Sequence, residues 1–262
     1  MQSRAIASPL IDSHCHLDAV EFDTDRDRVL QRAIDAGITR QIVPAVSAAT
    51  FDKLRGMCRM HEGLFPAYGL HPLFMTEHRP EHITALKQWI DCESPIAVGE
   101  CGLDFHLERT NADSQLHIFR EQLQLARDAN LPVIVHARKA LDQVIVEIRK
   151  VHNLRGVVHS FSGSLEQARR LWDIGFCLGI GGPISYDRAR RLRGIVANMP
   201  LEYLLLETDA PDQPLQGHQG TRNEPAMLID VCQTVAALRG VEPSEIAAAT
   251  TRNCEQLFNL PR

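Results

Sequence analysis

Leu10-Ile11-Asp12-Ser13-His14-Cys15-His16-Leu17 begins as an apolar run and ends in two histidines two positions apart. Alternation along a β-strand puts His14 and His16 on one face and Cys15 on the other. Two imidazoles on one strand face can reach a single divalent ion, and histidine is the commonest protein ligand for such metals. Taken alone, the pair fits an ordinary packed strand equally well. The rest of the chain tips the balance, because ligand-type residues recur at the ends of later apolar runs.

Working outward, Asp25–Gly37 reads as a helix with Val29, Ala33 and Ile34 on its apolar stripe, and Arg40–Val46 as a short strand. Ala48–Glu62 is the next helix, and Leu64–Pro72 a strand ending in Gly-Leu-His-Pro. Pro80–Cys92 reads as a helix, Pro95–Phe105 as a strand through Glu100, and Asp113–Asn130 as a helix. Leu131–Arg138 is the plainest buried strand, and Leu141–Val151 the helix after it. Gly156–Ser162 is a strand carrying His159; Ser164 with Gln167 makes a capping box for the following helix, which Gly175 ends. Phe176–Ile184 is a Gly-rich strand, Tyr186–Ala197 a basic helix and Leu201–Ala210 a strand running into Asp209. Glu224–Arg239 and Ser244–Phe258 close the chain as helices.

Eight strands, each followed by a helix, predict a parallel sheet closed into a (β/α)8 TIM barrel, an α/β fold, with residues 1–262 as a single domain. The steps from His71 to Glu100 (29 residues), Glu100 to His136 (36) and His136 to His159 (23) each match one βα unit. The structural alternative, a doubly wound open sheet, commonly brings a Gly-rich phosphate loop, and neither GxGxxG nor a P-loop pattern is present. A closed barrel gathers the C-terminal ends of its strands at one mouth. His14, His16, Glu100, His136, His159 and Asp209 all fall there, too many donors for one tetrahedral ion but suited to two metals sharing a carboxylate. A His/carboxylate set without thiolate suits Zn, Mn, Co or, less well, Mg. Cys15 and Cys101 alternate with these donors and belong to the core, while Arg138 and Lys139 follow His136 as candidate phosphate contacts. His71 sits at a strand end where it can touch substrate or a ligand. Asp12, Asp104 and Glu207 are placed to orient ligand imidazoles. His61, His78, His82, His117, His152 and His218 read as surface residues, and Arg188, Arg190, Arg191 and Arg193 as a solvated helix face.

A net charge of −5 gives no overall attraction for nucleic acid or an anionic membrane, so a nucleic-acid substrate has to be held locally. Seven cysteines without CxxC pairs point to reduced thiols and a cytoplasmic location. Met1–Pro9 lacks an apolar signal core, and no apolar run reaches the roughly 18 residues of a membrane span.

Seven motifs in order carry a resemblance. Asp-Ser-His-Cys-His-Leu-Asp at 12–18, Gly-Leu-His-Pro at 69–72, Gly-Glu-Cys-Gly-Leu-Asp at 99–104, Pro-Val-Ile-Val-His at 132–136, His-Ser-Phe-Ser-Gly at 159–163, Glu-Thr-Asp-Ala-Pro at 207–211 and Arg-Asn-Glu-Pro at 222–225 resemble the TatD family of metal-dependent hydrolases. That family is an amidohydrolase-like barrel, and some members are deoxyribonucleases acting from 3′ ends. The resemblance implies that His14, His16 and Asp209 hold one metal, His136 and His159 the other, and Glu100 bridges, with Asp209 handling the proton of the attacking water. It implies a 3′–5′ DNA exonuclease acting on a DNA 3′ end, with a small phosphoester as the other substrate expected; the chain itself is expected to be a monomer. The alternatives are an amidohydrolase-type C–N hydrolase, many of which bridge with a carboxylated lysine where this chain has Glu100, and a non-catalytic metal-binding interaction protein. One departure stands out: many members carry an aromatic residue just after Glu-Thr-Asp-Ala-Pro and a basic residue before Arg-Asn-Glu-Pro. This chain has Asp212-Gln213-Pro214 and Gly220-Thr221 there, which removes a stacking platform and a positive contact for a nucleotide.

Overall fold

The computed structural model describes residues 8–106 and 111–260; most of the leading segment read for a signal lies outside them. Eight strands pair in chain order, each parallel to the next: β1 (Leu10–Asp12), β2 (Ile38–Pro44), β3 (Leu64–Tyr68), β4 (Ala97–Asp104), β5 (Val133–Arg138), β6 (Gly156–Val158), β7 (Phe176–Ile180) and β8 (Leu204–Leu206). The sheet curls until its ends meet. Ser13 N donates to Leu206 O at 3.0 Å, Asp209 N to His14 O at 2.9 Å and His16 N to Ala210 O at 2.7 Å. The buried Asp12 carboxylate reinforces this seam, accepting from Thr208 N at 3.0 Å and from the Thr208 hydroxyl. This is the expected (β/α)8 barrel.

The helices are α1 (Arg26–Asp35), α2 (Phe51–Met60), α3 (Glu81–Glu93), α4 (Ala112–Asp128), α5 (Leu141–Arg149), α6 (Leu165–Trp172), α7 (Arg190–Asn198), α8 (Leu228–Arg239) and α9 (Pro243–Phe258). The capping box at Ser164 and Gln167 forms as read, with both reciprocal bonds present. In α1 the buried face is Val29, Leu30 and Ala33, and Ile34 points outward at 48% exposure. The basic stretch before Arg190 is a turn rather than helix: Gly182–Ser185 forms a 3-10 turn, and α7 starts four residues later than the periodicity suggests.

Two apolar layers hold the barrel. The larger lies between strands and helices. The smaller is the barrel's own interior, one side chain from each strand in turn: Ile11, Ile42, Ala67, Ala97, Ile134, Val157, Cys177 and Leu205. Cys254, Leu257, Phe258 and Leu260 from the end of α9 pack onto it. The bonds of α9 place this plug at the strand starts: Thr251 Oγ1 donates to Pro9 O at 2.9 Å, and Asn253 Nδ2 to Leu201 O at 2.7 Å and Leu204 O at 2.9 Å. One end of the barrel is therefore sealed, and the histidines two residues beyond Ile134 and Val157 face the other.

Several strands end earlier than their apolar runs. Asp12 ends β1 by accepting from His14 N at 3.2 Å. Past β5 and β6 the backbone takes a positive φ at Lys139 and Ser160, which breaks the ladder. The pattern runs on because the residues at the mouth are buried without being paired in a sheet.

Candidate metal centre

Glu100 stands at the centre of the mouth, 1% exposed. The register of β4 against β5 shifts between Val98 and Cys101. Both of those residues face the helix layer, and the extra residue turns Glu100 into the barrel. Gly102 permits the close approach of β5: a Cβ there would stand 2.0 Å from His136 O. The two carboxylate oxygens then face different histidines. Oε2 lies 3.2 Å from His14 Nε2 and 3.3 Å from His16 Nε2. Oε1 lies 3.0 Å from His136 Nδ1 and 2.7 Å from His159 Nε2.

Each histidine pair converges on a point. His14 Nε2 and His16 Nε2 are 3.1 Å apart, and Asp209 Oδ1 is 3.5 and 3.6 Å from them. His136 Nδ1 and His159 Nε2 are also 3.1 Å apart. Donors about 2.0–2.1 Å from one tetrahedral ion lie roughly 3.3–3.4 Å from each other, so the spacing fits a divalent metal on either side of Glu100. Glu100 Oε2, sealed from solvent, has no hydrogen-bond partner in the protein. The donor set and its geometry suit metal better than a network of side-chain hydrogen bonds.

The charges agree with this. Burial works to raise the Glu100 carboxyl, but His159, His71 and His14 outweigh it and hold it well below the usual carboxylate range. Burial, then His159, holds His14 well below the usual imidazole value. For His16 and His159 burial again pulls downward, yet Glu100 carries them up to about 9 and about 10. The carboxylates thus call for positive charge within the cluster, which metal ions supply in place of protons.

Neighbouring groups aim these donors. Asp104 Oδ2 lies 3.0 Å from His136 Nε2 and turns Nδ1 toward Glu100. His71 is buried; its Nδ1 accepts from Leu73 N at 3.1 Å, so its Nε2 carries the proton and donates to Glu100 Oε1 at 3.0 Å. Burial keeps His71 neutral, down to about 4, and this arrangement makes it a donor to the carboxylate. His78, expected on the surface, is buried behind it, its Nε2 2.9 Å from His71 O. Glu207 is also buried, 3.9 Å from His159 Nδ1, and accepts from Ser160 N. Asp12, expected to orient an imidazole, instead ties backbone across the β1–β8 seam. Arg138 and Lys139 stand exposed at the end of β5. Cys15 and Cys101 are core residues, as the alternation predicts.

Sequence reading missed Gln213. Its Nε2 donates to Asp209 Oδ2 and, at 2.7 Å, to Ser160 Oγ, so it fixes the carboxylate whose other oxygen faces His14 and His16. A polar residue between two prolines was the only signal. Arg222 and Asn223 prove to be ties: Arg222 clamps Asp25 at 2.8 Å through both oxygens, and Asn223 Nδ2 donates to Thr208 O at 2.9 Å.

With this geometry in view, similarity to known proteins is informative. The family described as TatD related DNase matches residues 11–259. The chain belongs to the TatD family. Its relatives there include the metal-dependent hydrolase YjjV of Escherichia coli K12, 40% identical over 255 residues that span 96% of this chain and 98% of YjjV. The crystal structure of YjjV superposes with a TM-score of 0.92 at 39% identity, covering 96% of this chain and 98% of that one. A protein of Erwinia billingiae named 3′–5′ ssDNA/RNA exonuclease TatD is 33% identical over 260 residues, 96% of this chain and all (100%) of that protein. As a TatD protein the chain is a metal-dependent hydrolase. Among the described residues, no helix is long and apolar enough to cross a membrane.

Proposed function

We propose that this TatD protein is a two-metal phosphodiesterase that removes nucleotides from single-stranded or frayed 3′ ends of DNA. The observation that carries the reading is the split of Glu100 between two converging histidine pairs. His14, His16 and Asp209 would hold one divalent ion, His136 and His159 the other, and Glu100 would bridge them. Ions so held neutralise a phosphodiester's charge and lower the pKa of a water, chemistry that favours phosphate esters over neutral amides.

The chain's own groups do the rest. His71 keeps its N–H on Glu100 and so fixes the bridging carboxylate's plane. Asp104 bonds His136 Nε2 and holds that ring, while Glu207 lies beside His159 as a neighbouring carboxylate without bonding it. Asp209, whose Oδ1 faces His14 and His16, would take up the proton of the attacking water. Gln213 keeps it from rotating away. Arg138 and Lys139 hold phosphate oxygens outside the reacting centre. The similarity to the Erwinia billingiae exonuclease supports the polarity of attack.

The test is a time course with end-labelled single-stranded oligonucleotides and Zn, Mn, Co or Mg restored in turn. Stepwise shortening from the 3′ end with release of mononucleotides is expected. Internal cuts, or no cutting beside efficient hydrolysis of a small phosphoester or an amide, refute the exonuclease reading.

A further inference from the structure

Beside the mouth lies a cavity of about 730 Å³. Its walls are built from the segments that leave β4, β5 and β6 and from the helices beside them. Phe105 directly follows Asp104, Ala137 and Lys139 follow His136, and Ser162 and Gly163 follow His159. The volume falls in the range of small-ligand sites, roughly 300–1,000 Å³. Its lining is of two kinds. Phe105, Leu116 and Leu141 make an apolar wall, and Lys139 and Arg191 bring positive charge.

The sequence reading gave Arg191 to a solvated helix face. Arg191 is exposed on α7 as read, and its Nη2 donates to Ser162 O at 2.8 Å, which draws the guanidinium across to the β6–α6 loop and the cavity rim. Asp142 also lines the cavity, but its carboxylate is taken up by Arg170 at 2.7 Å and Gln167 at 3.0 Å. The remaining balance is positive. An apolar wall with an aromatic edge beside two cations is what a base and its phosphate require.

We infer that this cavity receives the nucleotide adjoining the one being released, its base against Phe105 and its phosphate between Lys139 and Arg191. The inference rests on the nuclease reading and adds to it a second point of hold on the strand.

The test compares two substrates on the metal-loaded, full-length protein: a single-stranded oligonucleotide, and bis(p-nitrophenyl) phosphate, which has a phosphodiester but no second nucleotide. For Phe105→Ala, the ratio of kcat/KM on the oligonucleotide to that on the small diester is expected to fall roughly 5- to 100-fold, mostly through KM. Phe105→Tyr, which keeps the ring, is expected to restore it. Arg191→Ala, on the surface and safe for folding, is expected to lower the ratio about fivefold and to flatten its salt dependence. Equal losses on both substrates, or an unchanged ratio in Arg191→Ala and Phe105→Ala, overturn the inference while leaving the nuclease reading in place. Wild-type protein that hydrolyses the small diester but cuts no oligonucleotide overturns both.

Discussion

The two ends of the barrel are built on the same eight strands and could hardly differ more. Below the mouth each strand contributes one inward apolar side chain, and α9 closes the layer from the other end with Leu257, Phe258 and Leu260. Two residues further along β5 and β6 the same inward-facing positions hold His136 and His159. There, buried polar atoms including Glu100 Oε2, His14 Nδ1 and His159 Nδ1 lack protein partners. A buried polar group without a partner is costly, whereas buried apolar area stabilises. The contrast teaches where each job sits: the sealed end supplies stability that the mouth spends on convergence of like donors.

That division can be broken most directly at Glu100. Because it faces both histidine pairs, Glu100→Ala should lower metal occupancy on both sides and reduce the rate by at least about 100-fold, the upper scale of losses at groups around metals. The fold should survive, since stability comes from the other end. Elemental analysis after desalting, with thermal melting in parallel, checks it: the wild-type chain should bind two equivalents. A variant that keeps two equivalents, or a wild-type plateau at one, refutes the shared-carboxylate geometry.

The converse experiment is at the plug. Phe258 is buried against the barrel interior far from the donors. Phe258→Ala should cost about 3–5 kcal/mol in a denaturant titration, the usual toll for a buried aromatic truncated to alanine. Metal stoichiometry per folded chain and KM should hold at their wild-type values. Loss of metal at constant stability would mean that the two ends are coupled through the strands, against the division argued above.

How much of this was legible beforehand follows the same divide. The barrel, its strand order and the residues at the mouth could be read because each βα unit carries its own apolar run and its own turn signal. What failed was the length of strands at the mouth. Burial there comes from packing around the polar cluster, so Gly156–Ser162 looks like one strand although the ladder stops at Val158 and Ser160 turns left-handed. Long-range partners were equally silent. Nothing local announces that Asp12 would bond Thr208 rather than an imidazole, that Arg191 would cross to Ser162, or that Gln213 would hold Asp209. Those depend on which loops the closed sheet brings together.

Another carboxylate sharpens the comparison, because it is buried like Glu100 yet fully partnered. Glu147 on α5 has a side chain 1% exposed and accepts from Arg120 through both oxygens at 2.9 Å, with Lys150 and Gln143 adding further bonds. The Arg120 guanidinium, ahead of the opposing effect of burial, brings its carboxyl down to about 2. The folded state therefore binds this proton less readily than the unfolded chain, whose glutamates titrate near 4.3. The sign follows: the pairing stabilises fully at pH above the unfolded value, and that contribution is lost as pH falls through about 2. Arg120 stands largely in water, which keeps the magnitude to about 1 kcal/mol, the smallest of the three effects. Glu147→Gln should thus be less stable than wild type at pH 6, with the gap closing toward pH 2 in denaturant midpoints measured along the series. Metal content should not respond to the substitution at any pH. A gap that stays constant with pH would show that the loss is one of packing alone, and that a well-partnered carboxylate in the helix layer contributes nothing through its charge.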